Sequence, residues 1–170
     1  MYFIVFACHL LLSGDPCADN SYRNLTRRER SVNFTGDMNT NCDGDVLTGW
    51  NIWYRVSGNA GNALRSRTAP PADSCGTEAR LYLQDDHPHF GDGEVTQKVC
   101  VSRTSENSCN NNNDNAARIT IQVINCGPFY LYKLDSLRKC SKSKWAYCTN
   151  GQGMYHISLR IWNSHSIADS

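Results

Sequence analysis

The chain has 170 residues, nine of them cysteine, and a net charge of +1. That length suits one domain with a sizeable core. The balanced charge excludes a nucleic-acid or membrane-surface partner selected by charge alone.

In chain order, Met1 to Leu12 (MYFIVFACHLLL) is an apolar run followed by the small residues Ser13-Gly14. It reads as a secretory signal over residues 1–14, cleaved near Gly14 or Asp15. Removing it takes Cys8 away and leaves eight cysteines, the even number expected of a disulfide framework made in an oxidising compartment. Asp15 to Asn41 is polar and reads as an extended surface arm tied down by Cys17. Two sequons lie in it, Asn24-Leu25-Thr26 and Asn33-Phe34-Thr35, so Asn24 and Asn33 are expected to be glycosylated and Ser21 to Asn41 to be on the surface. The run Arg27-Arg28-Glu29-Arg30 has the composition of a protease site or basic patch, but a solvated charged face is the simpler reading.

Leu47 to Gly61 follows, with Trp50, Ile52 and Tyr54 alternating with Asn51, Trp53 and Arg55. This is a strand with aromatics on both faces, closed by a glycine-bearing turn at Gly58 to Gly61. The aromatic density means core, and an outward-facing aromatic would be a platform on which a sugar can stack. Ala69 to Ala72 is a loop leading to Cys75, and Arg80 to Leu83 reads as a short strand. Asp85 to Glu94 holds the densest set of metal-capable groups, including His87 and His89, but has neither a Cys/His ligand ladder nor the spaced acids of an EF-hand. It reads as a turn-rich surface loop.

Val95 to Val101 is a strand carrying Cys100, and Cys109 is close enough for a local bridge. Asn107 to Asn115 is low-complexity and reads as a flexible polar loop. Ile119, Ile121 and Val123 then alternate with Thr120 and Gln122, the clearest strand pattern in the chain. Gly127-Pro128 breaks it and Phe129 to Leu134 resumes, giving a hairpin with Cys126, Cys140 and Cys148 at its turn and along its exit. Cys17, Cys42 and Cys75 are single and widely spaced, as partners for that cluster would be. Tyr155 to Trp162 has the composition of one more strand within a C-terminal extension or linker, residues 150–170. The fold class expected is a mainly β, small disulfide-rich domain of short antiparallel strands and long loops, over residues 15–149.

No Gly-x-Ser-x-Gly elbow, phosphate-cradling glycine loop or dinucleotide fingerprint occurs, and each cysteine after the signal is better explained as half of a bridge than as a thiolate. Neither an enzyme nor a cofactor is expected. A pair of carboxylates converging across a cleft is the one hydrolytic arrangement that a linear sequence does not exclude. No later apolar run approaches the roughly 20 residues that span a bilayer, so a secreted, extracellular product without membrane insertion is expected.

Several short motifs, in order, resemble the eight-cysteine (D8C) domain family of uromodulin and the pancreatic zymogen-granule membrane glycoprotein. They are Asp15-Pro16-Cys17, Cys42-Asp43, Gly49-Trp50 with Trp53-Tyr54-Arg55-Val56 and Gly58-Asn59-Ala60-Gly61, then Cys75-Gly76-Thr77 and His87-Pro88. Gly93-Glu94-Val95 with Val99-Cys100, Tyr130-Leu131-Tyr132-Lys133-Leu134 and Trp145-Ala146-Tyr147-Cys148-Thr149 complete them. The resemblance implies an extracellular domain for binding or presentation, with an extracellular protein or carbohydrate as partner. It also implies the pairing Cys17–Cys126, Cys42–Cys140, Cys75–Cys148 and Cys100–Cys109. A spacer or cap within a larger zona-pellucida-type matrix or filament protein is the alternative.

Two departures qualify the resemblance. The additional cysteine pair of ten-cysteine members, near Ala69-Pro70 and beside Cys109, is absent as a whole. The family's sequon within the Tyr-x-Tyr segment, whose mannose-rich glycan is a decoy for bacterial adhesins, is replaced by Lys133-Leu134-Asp135. Adhesin capture at that position therefore does not carry over.

Overall fold

The computed structural model describes residues 15–47, 49, 51–104, 107–109, 119–137 and 139–151. The expected signal at 1–14, residues 110–115 of the polar loop and the expected strand at 155–162 lie outside these.

The alternating β-branched residues after Ile119 form a strand that ends at Asn125, turns through residues 126–129 and returns as Tyr130–Lys133. The Cys126 amide donates to the Phe129 carbonyl at 2.9 Å to close that turn. Gly127 within it has a φ of +87°, which costs glycine no Cβ clash. This hairpin lies inside one seven-stranded sheet. In chain order its strands are β1 (Arg23–Leu25), β2 (Trp53–Val56), β3 (Ala79–Leu83), β4 (Glu94–Ser102), β5 (Ile119–Asn125), β6 (Tyr130–Lys133) and β7 (Trp145–Tyr147). Their spatial order is β1-β2-β6-β5-β4-β3-β7. The fold is mainly β, as its sequence implies. The inner pairings are antiparallel, while β1–β2 and β3–β7 at the two edges are parallel.

The strand expected across Leu47 to Gly61 is confined to Trp53–Val56, followed by a 3₁₀ turn at Gly58–Ala60. Tyr54 and Val56 face inward and are buried, whereas Trp53 and Arg55 are half-buried. On the inner face Val99, Ile121, Val123 and Tyr132 pack with Leu81, Leu83 and Tyr147. Leu25, Leu47, Ala60 and Leu64 complete that core, so among the described residues it is closed by β1 and loop segments.

Residues 145–151 bind these pieces together. Beyond the β3–β7 pairing, Thr149 bridges both Ser31 and Leu64, and Gly61 bridges Gly151. The Thr149 hydroxyl donates to the Ala60 carbonyl, and the Cys148 amide donates to Leu81 at 2.8 Å. Gly151 has a φ of +73° and no room for a Cβ, which would lie 2.6 Å from Asn33 Nδ2 and 2.7 Å from Ser31 Oγ.

The structure contains four disulfides: Cys17–Cys126, Cys42–Cys140, Cys75–Cys148 and Cys100–Cys109. The first three link residues 109, 98 and 73 positions apart, and the fourth closes a separation of 9.

The basic run does not stay in solvent. Arg27 and Arg28 are exposed, and both sit beside Glu29. Arg30, at the end of a 3₁₀ turn spanning Arg28–Arg30, is 1% exposed. Its guanidinium grips Asp43 with two hydrogen bonds, Nη1 donating to Oδ2 at 2.7 Å and Nη2 donating to Oδ1. The Tyr147 amide also donates to Asp43 Oδ2 at 2.8 Å. A solvated face is therefore the wrong reading for Arg30, because a fully buried carboxylate holds it. Nor can this run serve as a processing site after Arg30 in the folded chain. Native protein incubated with trypsin, which cuts after single arginines, is expected to stay uncut at Arg30 and to be cut there once denatured.

Candidate functional site

Strand register builds the outer face of the sheet. Thr96 pairs with Gln122, Gln122 with Lys133, and Lys133 with Trp53. Because alternate residues of a strand share a face, these four side chains form one row across β4, β5, β6 and β2. Glu94, Lys98 and Thr120 share that face, and each is exposed.

The chain covers both flanks of this face with its own side chains. On the β2 flank the Arg55 guanidinium lies over Phe129 at 4.2 Å and over Tyr22 at 5.8 Å, and the two rings are 5.6 Å apart. Cys17–Cys126 ties the segments carrying those rings together. On the other flank Tyr82, the register partner of Cys100, is buried, and its hydroxyl donates to Asn107 Oδ1 at 3.0 Å.

Between the flanks lies an open groove of about 330 Å³, lined by Thr96, Thr120, Gln122, Lys133, Asp135 and Ser136 among others. The Lys133 ammonium is fixed there, 4.6 Å from the Trp53 ring centre and 3.5 Å from Glu94 Oε1. Trp53 is thus the outward aromatic of its strand, with Lys133 over its ring. Sequence reasoning missed the groove, because only the cross-strand register reveals that residues from 96 to 136 share it.

Both sequon asparagines are exposed. Asn24 lies in β1 opposite Arg55, at the sheet's outer edge, and its Oδ1 accepts the Ser57 hydroxyl at 3.2 Å. Asn33 lies in the loop after the 3₁₀ turn, beside a shallow hollow formed with Arg28, Phe34 and Asn59. Ser21 to Asn41 is not surface throughout, since Leu25, Arg30, Ser31 and Asn41 are buried.

The loop from Asp85 to Glu94 splits its two histidines. His89 is exposed. His87 turns inward, stacked against Tyr130 with centroids 4.4 Å apart, and its Nε2 is 2.8 Å from the Tyr132 hydroxyl. That hydroxyl accepts the Leu64 amide at 3.1 Å, which leaves its proton to donate to Nε2 of a neutral imidazole. Among the described residues no group of three or more His, Cys, Asp or Glu side chains could hold a metal ion.

Burial lowers the His87 pKa from 6.5 to about 4, partly opposed by the nearby Asp86 charge. The unfolded chain therefore binds more protons at this residue between about pH 6.5 and pH 4, so stability is lost as pH falls through that window. The expected loss is on the order of 2–3 kcal/mol. Urea midpoints at pH 7 and pH 4.5 will show it for the parent and will show a smaller drop for His87→Gln; equal drops would refute the assignment.

The family model of the uromodulin-like D8C domain matches residues 54–149. Uromodulin of Mus musculus is 32% identical over 141 residues, 82% of this chain and 19% of its own length. The pancreatic secretory granule membrane major glycoprotein of Canis lupus familiaris is 32% identical over 139 residues, 81% of this chain and 24% of its own length. The human form of that glycoprotein is 29% identical over 137 residues. The chain thus spans about a fifth to a quarter of the length of these curated relatives. With the matched segment running from β2 through β7 and including both cysteines of Cys75–Cys148 and Cys100–Cys109 together with Cys126 and Cys140, the chain belongs to the uromodulin-like D8C domain family.

Proposed function

We propose that this domain is a secreted, disulfide-stapled glycoprotein module that recognises an extracellular protein or carbohydrate partner and performs no catalysis. The observation that carries this reading is the middle of the outer sheet face, which no described residue covers, a row of polar side chains flanked on both sides by the chain's own packing. The exposed asparagines of both sequons support its glycoprotein character, as do the names of its relatives, which include a secretory granule membrane glycoprotein. The apolar run at 1–14 supports export. Among the described residues no helix is long and apolar enough to cross a membrane. Against catalysis stands His87, whose ring nitrogen is engaged by Tyr132 instead of a nucleophile.

Expression of the full chain in secretory cells tests the first half of this reading. The secreted product is expected to lose mass on deglycosylation, and Asn24→Gln and Asn33→Gln are each expected to remove one glycan's mass. A product unchanged by the enzyme would refute both sites. Non-reducing peptide mapping is expected to recover the four cysteine pairs, and a free Cys100 or Cys109 would sink that framework. Glycan arrays and binding to bacterial and epithelial surfaces test recognition itself. Absence of saturable binding on all of them would reduce the domain to a spacer.

A further inference from the structure

We propose that the groove between Thr96 and Ser136 is a binding site for a neutral oligosaccharide. This rests on the recognition reading above and names the ligand class of that same face. The groove's chemistry is the argument. Thr96, Thr120 and Ser136 offer hydroxyls, Asn51 and Gln122 offer planar amides, and Asp135 offers a carboxylate. Such a set pairs donors with acceptors in every direction, as the hydroxyls of a sugar require, since each both donates and accepts.

Charge selects a neutral ligand over an acidic one. The Lys133 ammonium is already matched by Glu94 at 3.5 Å, and Asp135 adds a carboxylate to the groove lining. Among the described residues that line the groove, Lys133 is the one cation and Asp135 the one carboxylate, which leaves no surplus positive charge to hold a carboxylate or sulfate. The size fits as well. Neighbouring strands lie about 4.8 Å apart, so the row Thr96, Gln122, Lys133 spans about 10 Å, the length of a disaccharide, and the volume of about 330 Å³ falls at the small end of ligand sites.

A protein partner would want apolar anchors. The exposed large hydrophobic residues among those described, Val46 and Phe90, do not line the groove. Its rim is instead shaped by backbone held in an unusual conformation, with φ of +137° at Gly49 and +65° at Asn51. Asparagine tolerates that region better than most side chains, and residues kept there against local preference concentrate at binding sites. Lys133, fixed between an indole and a carboxylate, presents its remaining N–H groups without the entropy cost of ordering a free lysine.

Titration of the isotopically labelled full chain with mannotriose, chitotriose and cellotriose, followed by amide NMR, tests this. Saturable shifts are expected at Thr96, Thr120, Gln122 and Asp135 for at least one of the three. Gln122→Ala and Asp135→Ala are expected to weaken that binding about tenfold each, with unchanged melting curves. Shifts confined to another surface, or binding only of acidic saccharides such as sialyllactose, would overturn the proposal and leave recognition standing. So would failure of all saccharides alongside saturable binding to a cell or bacterial surface. Failure of every ligand and surface would remove both.

Discussion

Asp43→Ala is expected to cost about 3–5 kcal/mol, the usual result of removing one member of a buried ion pair. The reason lies in what the substitution strands. Arg30 is 1% exposed and Asp43 is wholly buried, so deleting the carboxylate leaves a guanidinium charge with neither water nor a counter-ion. It also leaves the Tyr147 amide without its acceptor, loosening β7 where it meets the arm. Asp43→Asn keeps the shape but not the charge, and should fall between the parent and alanine. A double variant, Arg30→Met with Asp43→Leu, should recover much of the loss, because the cost is that of a lone buried charge. Urea unfolding of the four proteins measures this directly. An Asp43→Ala loss below about 1 kcal/mol would show that the pair is solvated.

Replacing both Cys75 and Cys148 by alanine is the second large effect. Both residues are fully buried, and their bridge joins β7's exit to the loop ahead of β3. On the chain-entropy account, closing a separation of 73 residues restricts the unfolded chain by about 4 kcal/mol, against about 3 kcal/mol for the nine-residue separation of Cys100–Cys109. Removing the long bridge is therefore expected to lower the denaturation midpoint more and to reduce secreted yield sharply at 37 °C. Removing Cys100–Cys109 is expected to leave a folded, weakened domain. Secretion yield and unfolding midpoints compare them, and the reverse order would show that the unfolded-state account fails here.

These two effects differ in how visible they were beforehand. The hairpin of β5 and β6 could be read from its residues, because Ile119, Ile121 and Val123 alternate with polar partners and Gly127-Pro128 stops the run. Arg80 to Leu83 and Val95 to Val101 were legible for the same reason and differ from β3 and β4 only at their ends. The edge strands were not. Arg23–Leu25 and Trp145–Tyr147 have three residues each, too few for a period, and exist because a distant strand offers them a parallel edge. Arg30 was illegible too, since nothing in a row of arginines says which one will meet an aspartate 13 residues later. Of the candidate site, the outward aromatic was foreseen as a class. The groove itself was not, because register is a property of paired strands and not of any one of them.

The way residues 145–151 knit the molecule together also fixes when it can fold. Synthesis delivers the chain from its N-terminus, at about 5–20 residues per second, and Cys17 emerges 109 residues before Cys126. For roughly 5–20 s, therefore, Cys17 has no native partner in existence, and Cys42 and Cys75 face similar delays. During that interval these three thiols have only one another, Cys100 and Cys109 to meet. Every long bridge must either form late or be reshuffled, so the yield of this domain in a cell depends on disulfide exchange as much as on the stability of the finished sheet.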